Sequence, residues 1–178
     1  MKTIQTVLVA ALVLFLPGWK VLGSGGGVNA VPRFQQVAEG LFRGGQPTGE
    51  GFQQLKDKGI RTIINLRVDD SERKVVESLG MKYIHIPVEM PLLTRPWKQI
   101  EAADIAAFLA AVDDPLNQPA FVHCRRGADR TGLMIGMYRI SRHNWDGPRA
   151  YREARQIGMR WWFRAFKQQL LTFRAAQE

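Results

Sequence analysis

Three short apolar runs constrain this chain more than any other feature. IRTIINL (60–66), MKYIHIPV (81–88) and PAFVHC (119–124) have strand length and β-branched or aromatic content, and each follows a stretch of helical character. Neighbouring strands joined through a helix run parallel, because the crossover returns the chain to the same end of the sheet. GLFRGGQP (40–47) adds a further short strand that ends in a turn. The expected class is therefore α/β, with a central, mostly parallel sheet of four to five strands flanked by helices. IRTIINL carries no charge after Arg61 and reads as a central strand.

Caps and spacing place the helices. TGEGFQQLKDKG puts Phe52 and Leu55 on an inner face and closes at Gly59. DDSERKVVESLG opens on Asp70 or Ser71, with Glu72 and Glu77 towards its front. A proline-marked loop, EMPLLTRP, leads into a helix over WKQIEAADIAAFLAAV (97–112). From Asp129 onward the chain reads as helical and basic, and Asp146 caps a helix with Pro148 in its first turn. In RWWFRAFKQQLLTF (160–173), Trp162, Phe166 and Leu170 recur every four residues, the pattern of a terminal helix packed on the sheet. A second reading of that stretch is a basic aromatic helix lying on a membrane.

With 178 residues the chain can build one domain with its own core. The first residues, MKTIQTVLVAALVLFLPGWK, have a basic start, an apolar run and a Pro17-Gly18 break. They read as a signal peptide or an N-terminal membrane anchor over 1–22, the uncharged stretch 3–19 being at the short end of what spans a bilayer. A glycine-rich linker at 23–32 then precedes a domain at 33–178. The expected location is outside the cytoplasm, periplasmic or anchored in the inner membrane. Net charge is +9, of which Lys2 and Lys20 carry two, leaving +7 beyond the linker. A basic surface can serve nucleic acid, but no nucleic-acid motif is present and none is expected as partner.

Cys124 is the single cysteine, so no intramolecular disulfide forms. It ends an apolar run and opens FVHCRRGADRTG (121–132), after which TGLMIGMYRI reads as a helix. Residues Arg125 to Arg130 must wrap from strand to helix, which turns successive backbone N–H groups towards one centre and makes an anion site. The helix N-terminus adds partial positive charge, and Gly127 permits the tight turn. A thiol in such a field ionises readily, since cationic neighbours and helix N-termini lower a cysteine pKa from ~8.5 to roughly 3.5–7.5. Arg130 can grip two phosphate oxygens while the sulfur attacks phosphorus, and Thr131 can donate its hydroxyl to the sulfur. Arg125 and Arg126 suit a ligand with more than one phosphate, and Arg67 and Arg95 can extend the basic rim. Gly127 and Ala128 complete the phosphate-binding turn.

The same residues carry a family resemblance. HCRRGADRTG matches the signature His-Cys, five residues, Arg-Thr/Ser and so resembles the protein tyrosine phosphatase superfamily. LFRGGQP, GIRTIINLR, YIHIPV and NWDGPRAYREARQIG fall in the order expected of its compact dual-specificity branch, over roughly residues 38–160. The resemblance implies a phosphocysteine route with no metal and no cofactor, Cys124 as nucleophile, Arg130 as phosphate clamp and His123 orienting the cysteine loop. Members of that branch usually carry an aspartic general acid a few residues past the third strand. Here IPVEM places Met90 at that position, with Glu89 beside it pointing the other way. Asp129 is the better candidate, because myotubularin-type members of the superfamily carry an acid there. Its alternative role is to cap the following helix.

The resemblance implies hydrolysis of phosphate monoesters, on a phosphorylated protein or, from the Arg125–Arg126 pair, an anionic phospholipid or an inositol phosphate; the N-terminal segment adds an expected membrane contact. The competing reading from another class is a catalytically weak module that binds phosphate or phospholipid without turnover. A rhodanese-like sulfurtransferase is disfavoured, since its arginine falls five residues after the cysteine and here that place is Asp129.

Overall fold

The computed structural model describes residues 30–91 and 95–174. The leader at 1–22 and the glycines of the linker lie outside them. Five strands, β1 (Gln35–Ala38), β2 (Leu41–Gly45), β3 (Thr62–Asn65), β4 (Lys82–His85) and β5 (Ala120–Cys124), form one sheet in the order β1-β2-β5-β3-β4. The pairs β2–β5, β5–β3 and β3–β4 are parallel, and β1 alone runs antiparallel, on β2. The mostly parallel α/β class is as expected. β3 is interior, but β5 occupies the middle, which puts Cys124 at the end of the central strand.

Side chains alternate along the strands and supply two cores. Ile63 of β3 and Phe121 of β5 face one side, where Phe52 and Leu55 of α1 (Gly49–Asp57) and Val76 of α2 (Arg73–Ser78) cover them. Ile64 and Val122 face the other, under α3 (Ala102–Asp113), α4 (Asp129–His143), α5 (Gly147–Gln156) and α6 (Arg164–Thr172). Phe108 and Phe166 are fully buried there, and each such side chain contributes about 1.5–3 kcal/mol. α4 and α6 approach closely at Gly136, where a Cβ would come 2.6 Å from a Leu170 methyl.

Local chemistry sets the helix ends. Thr48 Oγ1 accepts from the Gly51 amide at 3.1 Å to open α1, a cap of about 1 kcal/mol. Asp146 accepts from the Arg149 amide at 2.6 Å to open α5. α2 starts later than expected: Glu72 is its cap residue but its side chain caps nothing, while Asp69 accepts from the Ser71 amide.

Three expectations change. Ala30–Pro32 belong to the domain and not to the linker, for Val31 is buried in the core, the Ala30 carbonyl accepts from Thr48 and the Pro32 carbonyl from Gly45. α3 begins at Ala102 and not Trp97, which stands exposed. Phe166 and Leu170 do form the inner face of α6, but Trp162 precedes that helix and is exposed.

Candidate active site

β5 ends at Cys124 and α4 begins at Asp129, two residues before the expected start, so only Arg125–Ala128 turn between them. The parallel register brings Gly45 of β2 opposite Cys124 and Asn65 of β3 opposite His123. The cysteine therefore sits at the carboxyl ends of the strands, where sheets of this kind bind ligands.

Gly127 makes the turn possible. Its φ is +69°, and a Cβ there would lie 2.3 Å from the Gly44 carbonyl carbon. Groups at the domain's N-terminal side then take the loop's carbonyls one by one. The Gln46 amide donates to Arg125 O at 3.2 Å, Arg33 Nη1 to Arg126 O at 3.2 Å, and Arg43 Nη2 to Gly127 O at 2.9 Å. In a planar trans peptide the N–H lies opposite the C=O. Carbonyls held outward at 125, 126 and 127 thus turn the amides of Arg126, Gly127 and Ala128 inward, the arrangement an anion needs.

Cys124 is 2% exposed. Burial alone would push its thiol up, but the Thr131 hydroxyl and amide, the Arg130 guanidinium and the Gly127 amide outweigh it and hold the thiol below its ordinary value. The buried Thr131 hydroxyl has no nitrogen or oxygen partner, so its donor is left for the sulfur. Arg130 Nη1 donates to Leu66 O at 3.2 Å and Val88 O at 3.3 Å, at the ends of β3 and β4, while its buried Nε has no partner. The clamp arginine is braced from behind and keeps a donor free.

The remaining expected residues divide. The Arg125 side chain is exposed and makes no ion pair among the described residues. Arg126 Nη1 lies 3.3 Å from Asp129 Oδ2. Asp129 is buried; its Oδ2 also pairs with Arg160 Nη2 at 2.9 Å, and its Oδ1 accepts from the Arg160 amide at 2.9 Å. It stands in the first turn of α4 and makes no side-chain cap. Glu89 is exposed and paired with Lys98, whose ammonium hydrogen-bonds it and holds the carboxyl below its ordinary value. Met90 packs against the main core.

Arg43, Gln46 and the site contacts of Glu72 escaped sequence reasoning, whereas His123 and Arg67 were expected near the loop. Arg43 is 1% exposed beneath the loop, and its guanidinium is lowered to about 10 by burial, which the Glu153 and Cys124 charges partly offset. Glu72 is buried, accepts from Gln46 Nε2, and lies 3.7 Å from Arg67 Nη1 and 2.8 Å from His123 Nε2, the last contact being misaligned for a hydrogen bond. His123 is fully buried, stacked on Phe121 with centroids 5.7 Å apart. Arg67 also bonds Gln46 Oε1 and Asp69. The signal for Arg43 and Gln46 lay in FRGGQP, a charged and polar pair around two glycines in a strand.

A cysteine at the centre of a parallel sheet, followed by an amide-lined turn and a braced arginine, defines a cysteine-loop phosphatase fold. Residues 18–160 match the family described as DSP-PTPase phosphatase fused to NAD+ kinase, and the chain belongs to that family. It is 31% identical over 118 residues to inositol diphosphatase DSP3 of Arabidopsis thaliana, covering 64% of this chain and 57% of that protein. The chain thus spans little more than half the length of that relative. Among solved structures it resembles the core catalytic domain of the PP-IP phosphatase SIW14 of S. cerevisiae (24% identity, TM-score 0.68, 80% of this chain and 86% of that one). It also resembles TpbA of P. aeruginosa (21% identity, TM-score 0.64, 77% and 84%). At these identities the two structures establish a shared fold.

Proposed function

We propose that the chain is a cysteine-dependent phosphatase. The Cys124 thiolate attacks phosphorus, the P–O bond to the leaving group breaks with its electron pair on oxygen, and the phosphoryl group is left on sulfur. Water then attacks that phosphorus, and sulfur departs as the thiolate with the Thr131 hydroxyl donating to it. Arg130 Nε and the inward amides hold the phosphoryl oxygens throughout. The carrying observation is the geometry around Cys124: the thiol is 2% exposed at the end of β5, with the Thr131 hydroxyl, the Arg130 guanidinium and the Gly127 amide directed to it, which favours its charged form.

The contacts of Asp129 support a positioning role in preference to proton donation. Both oxygens are occupied, two guanidiniums lie within 3.3 Å, and the pair ties the loop to the turn before α6. Glu89 is engaged by Lys98. With neither carboxyl free over the loop, leaving groups that depart readily as anions are favoured, such as an aryl oxide or the phosphate of a phosphoanhydride. That chemistry, the exposed Arg125 and the inositol diphosphatase relative together support a substrate bearing more than one phosphate. An inositol diphosphate or an anionic lipid headgroup fits. The run at 3–19 supports export, with the domain periplasmic or held at the inner membrane.

The test compares the native chain with Cys124→Ser for phosphate release from an aryl phosphate and an inositol diphosphate. Release by the native chain that disappears in Cys124→Ser, with phosphate binding retained, is expected. Equal release by both proteins overturns the mechanism, and binding without release by the native chain returns the non-catalytic module.

A further inference from the structure

Trp97, Trp161 and Trp162 stand 74%, 60% and 53% exposed, although tryptophan has the most apolar area to hide. Trp97 and Trp162 come from distant segments of the chain. With Pro96, Gln99, Arg164 and Gln168 they line one surface groove of about 560 Å³. Trp161 adjoins it, edge-on to Trp162 with centroids 5.8 Å apart.

One wall of this groove is tied to the cysteine loop. Arg160, two residues before Trp162, gives its amide and guanidinium to Asp129, in the first turn after the loop. The Trp161–Trp162 side of the aromatic surface is thereby linked to the phosphate site.

Its charge is basic. Arg95 and Arg164 make no ion pair among the described residues, and the Arg160 guanidinium lies 5.4 Å from the Trp162 centroid and 4.5 Å from that of Phe163. An adjoining groove of about 820 Å³ brings in Arg174 and Lys98, the latter paired with Glu89, with Glu101 as the acid on its wall.

We propose that this surface docks on a lipid bilayer carrying anionic headgroups and holds the Cys124 loop at the membrane face. Indoles favour the bilayer interface, where the ring is buried among acyl chains and the N–H stays wet. Basic side chains beside them are drawn to an anionic leaflet. A protein partner would have to meet Arg95 and Arg164 with acids at fixed places, whereas a bilayer offers headgroups at any spacing. The inference deepens the phosphatase reading and rests on it for the substrate, which is then presented on the membrane.

The experiment uses the full chain with phosphatidylcholine vesicles, with and without phosphatidylglycerol, whose acyl chains are brominated to quench tryptophan. The comparison is a chain with Trp97→Phe, Trp161→Phe and Trp162→Phe, which keeps Trp19 and Trp145 and so reports any contribution of the apolar leader. The expected result is quenching by phosphatidylglycerol vesicles that is lost in the triple variant and reduced by Arg164→Glu. Equal fractional quenching in native and triple-variant chains overturns the proposal. Shielding of the patch with rising protein concentration, without lipid, overturns it in favour of a second copy. Hydrolysis of a soluble aryl phosphate is expected unchanged in Arg164→Glu, while release from a vesicle-borne lipid phosphate falls. A chain that docks but releases no phosphate keeps this inference and loses only the phosphatase reading.

Discussion

Arg43 Nη2 donates to the carbonyl of Gly127 at 2.9 Å, wholly out of contact with solvent. A guanidinium buried without a salt bridge is costly, and here it does two things at once. It fixes the 127–128 peptide so that the Ala128 amide turns into the loop, and it places a positive charge beneath the thiolate, whose own charge acts back on it. Arg43→Met keeps much of the stem's packing and removes both effects. A hydrogen bond from a charged donor is worth about 1.5–3 kcal/mol, so kcat/KM is expected to fall by roughly 10- to 100-fold on a soluble aryl phosphate. The same variant raises the pH at which Cys124 becomes reactive to iodoacetamide. An unmoved alkylation profile would leave Arg43 a packing residue.

At Gly127 the backbone allows no side chain. An alanine there meets the Gly44 carbonyl carbon at 2.3 Å and adopts a φ of +69°. The left-handed conformation alone costs an L-residue roughly 1–2 kcal/mol, and the overlap with β2 backbone adds to it. Gly127→Ala is expected to lower Tm and to abolish phosphate protection of Cys124 against alkylation. Gly49→Ala, where a Cβ meets nothing within 4 Å, is the control and leaves both unchanged.

The thiol makes stability depend on pH. Its folded pKa is depressed, Thr131, Arg130 and the Gly127 amide having outweighed burial. An acid of this kind binds fewer protons folded than unfolded between its folded value and the ordinary value of 9.0. Its contribution is therefore fully present above pH 9.0 and is lost as pH falls through the folded pKa. Denaturant unfolding of the native chain and Cys124→Ser is expected to diverge as pH rises towards 9, with the native chain gaining. Thr131→Ala, which removes the hydroxyl, narrows that gap and shifts the alkylation profile upward, while Thr131→Ser restores both. A gap that is constant with pH contradicts the assignment.

What could be read ahead of the coordinates was local. The cysteine loop announced itself through residue types at fixed spacing, and β3, β4 and β5 through short apolar runs of β-branched or aromatic content. Asp146 and Pro148 marked α5 because a cap needs only its own turn. β1 was missed, since Gln35–Ala38 is a half-exposed edge strand whose pairing with β2 supplies its order. Arg43 gave no sign of its burial in GLFRGGQP, because the partner that its buried guanidinium bonds, the Gly127 carbonyl, lies 84 residues away. Glu72 was assigned to a helix front, when its partners Gln46, Arg67 and His123 come from three other segments. Trp162 fitted a helical spacing, but α6 begins two residues later and the periodicity does not apply to it.

Asp129 separates two accounts of how the leaving group departs. As an acid it must give a proton, and its loss then hurts alkyl phosphates, whose oxygens leave poorly, far more than nitrophenyl phosphate. As a positioning residue it acts through Arg160 and Arg126, and its loss weakens all substrates alike. Asp129→Asn keeps an acceptor for the Arg160 amide and removes the charge that the two guanidiniums face. Because Arg126 and Arg160 are 39% and 33% exposed, water screens part of the pair, and the expected destabilisation is about 1–3 kcal/mol, below that of a fully buried ion pair. The positioning role predicts a lower Tm together with a similar fold-loss in kcat/KM for aryl and alkyl phosphates, and an unchanged alkaline limb of the pH–rate profile, the limb that a proton donor sets. A loss confined to alkyl phosphates, with the limb displaced, returns the proton to Asp129. Measuring kcat/KM across phenyl phosphates of graded phenol acidity reads the two apart in one series, since only removal of an acid steepens the dependence on the leaving group.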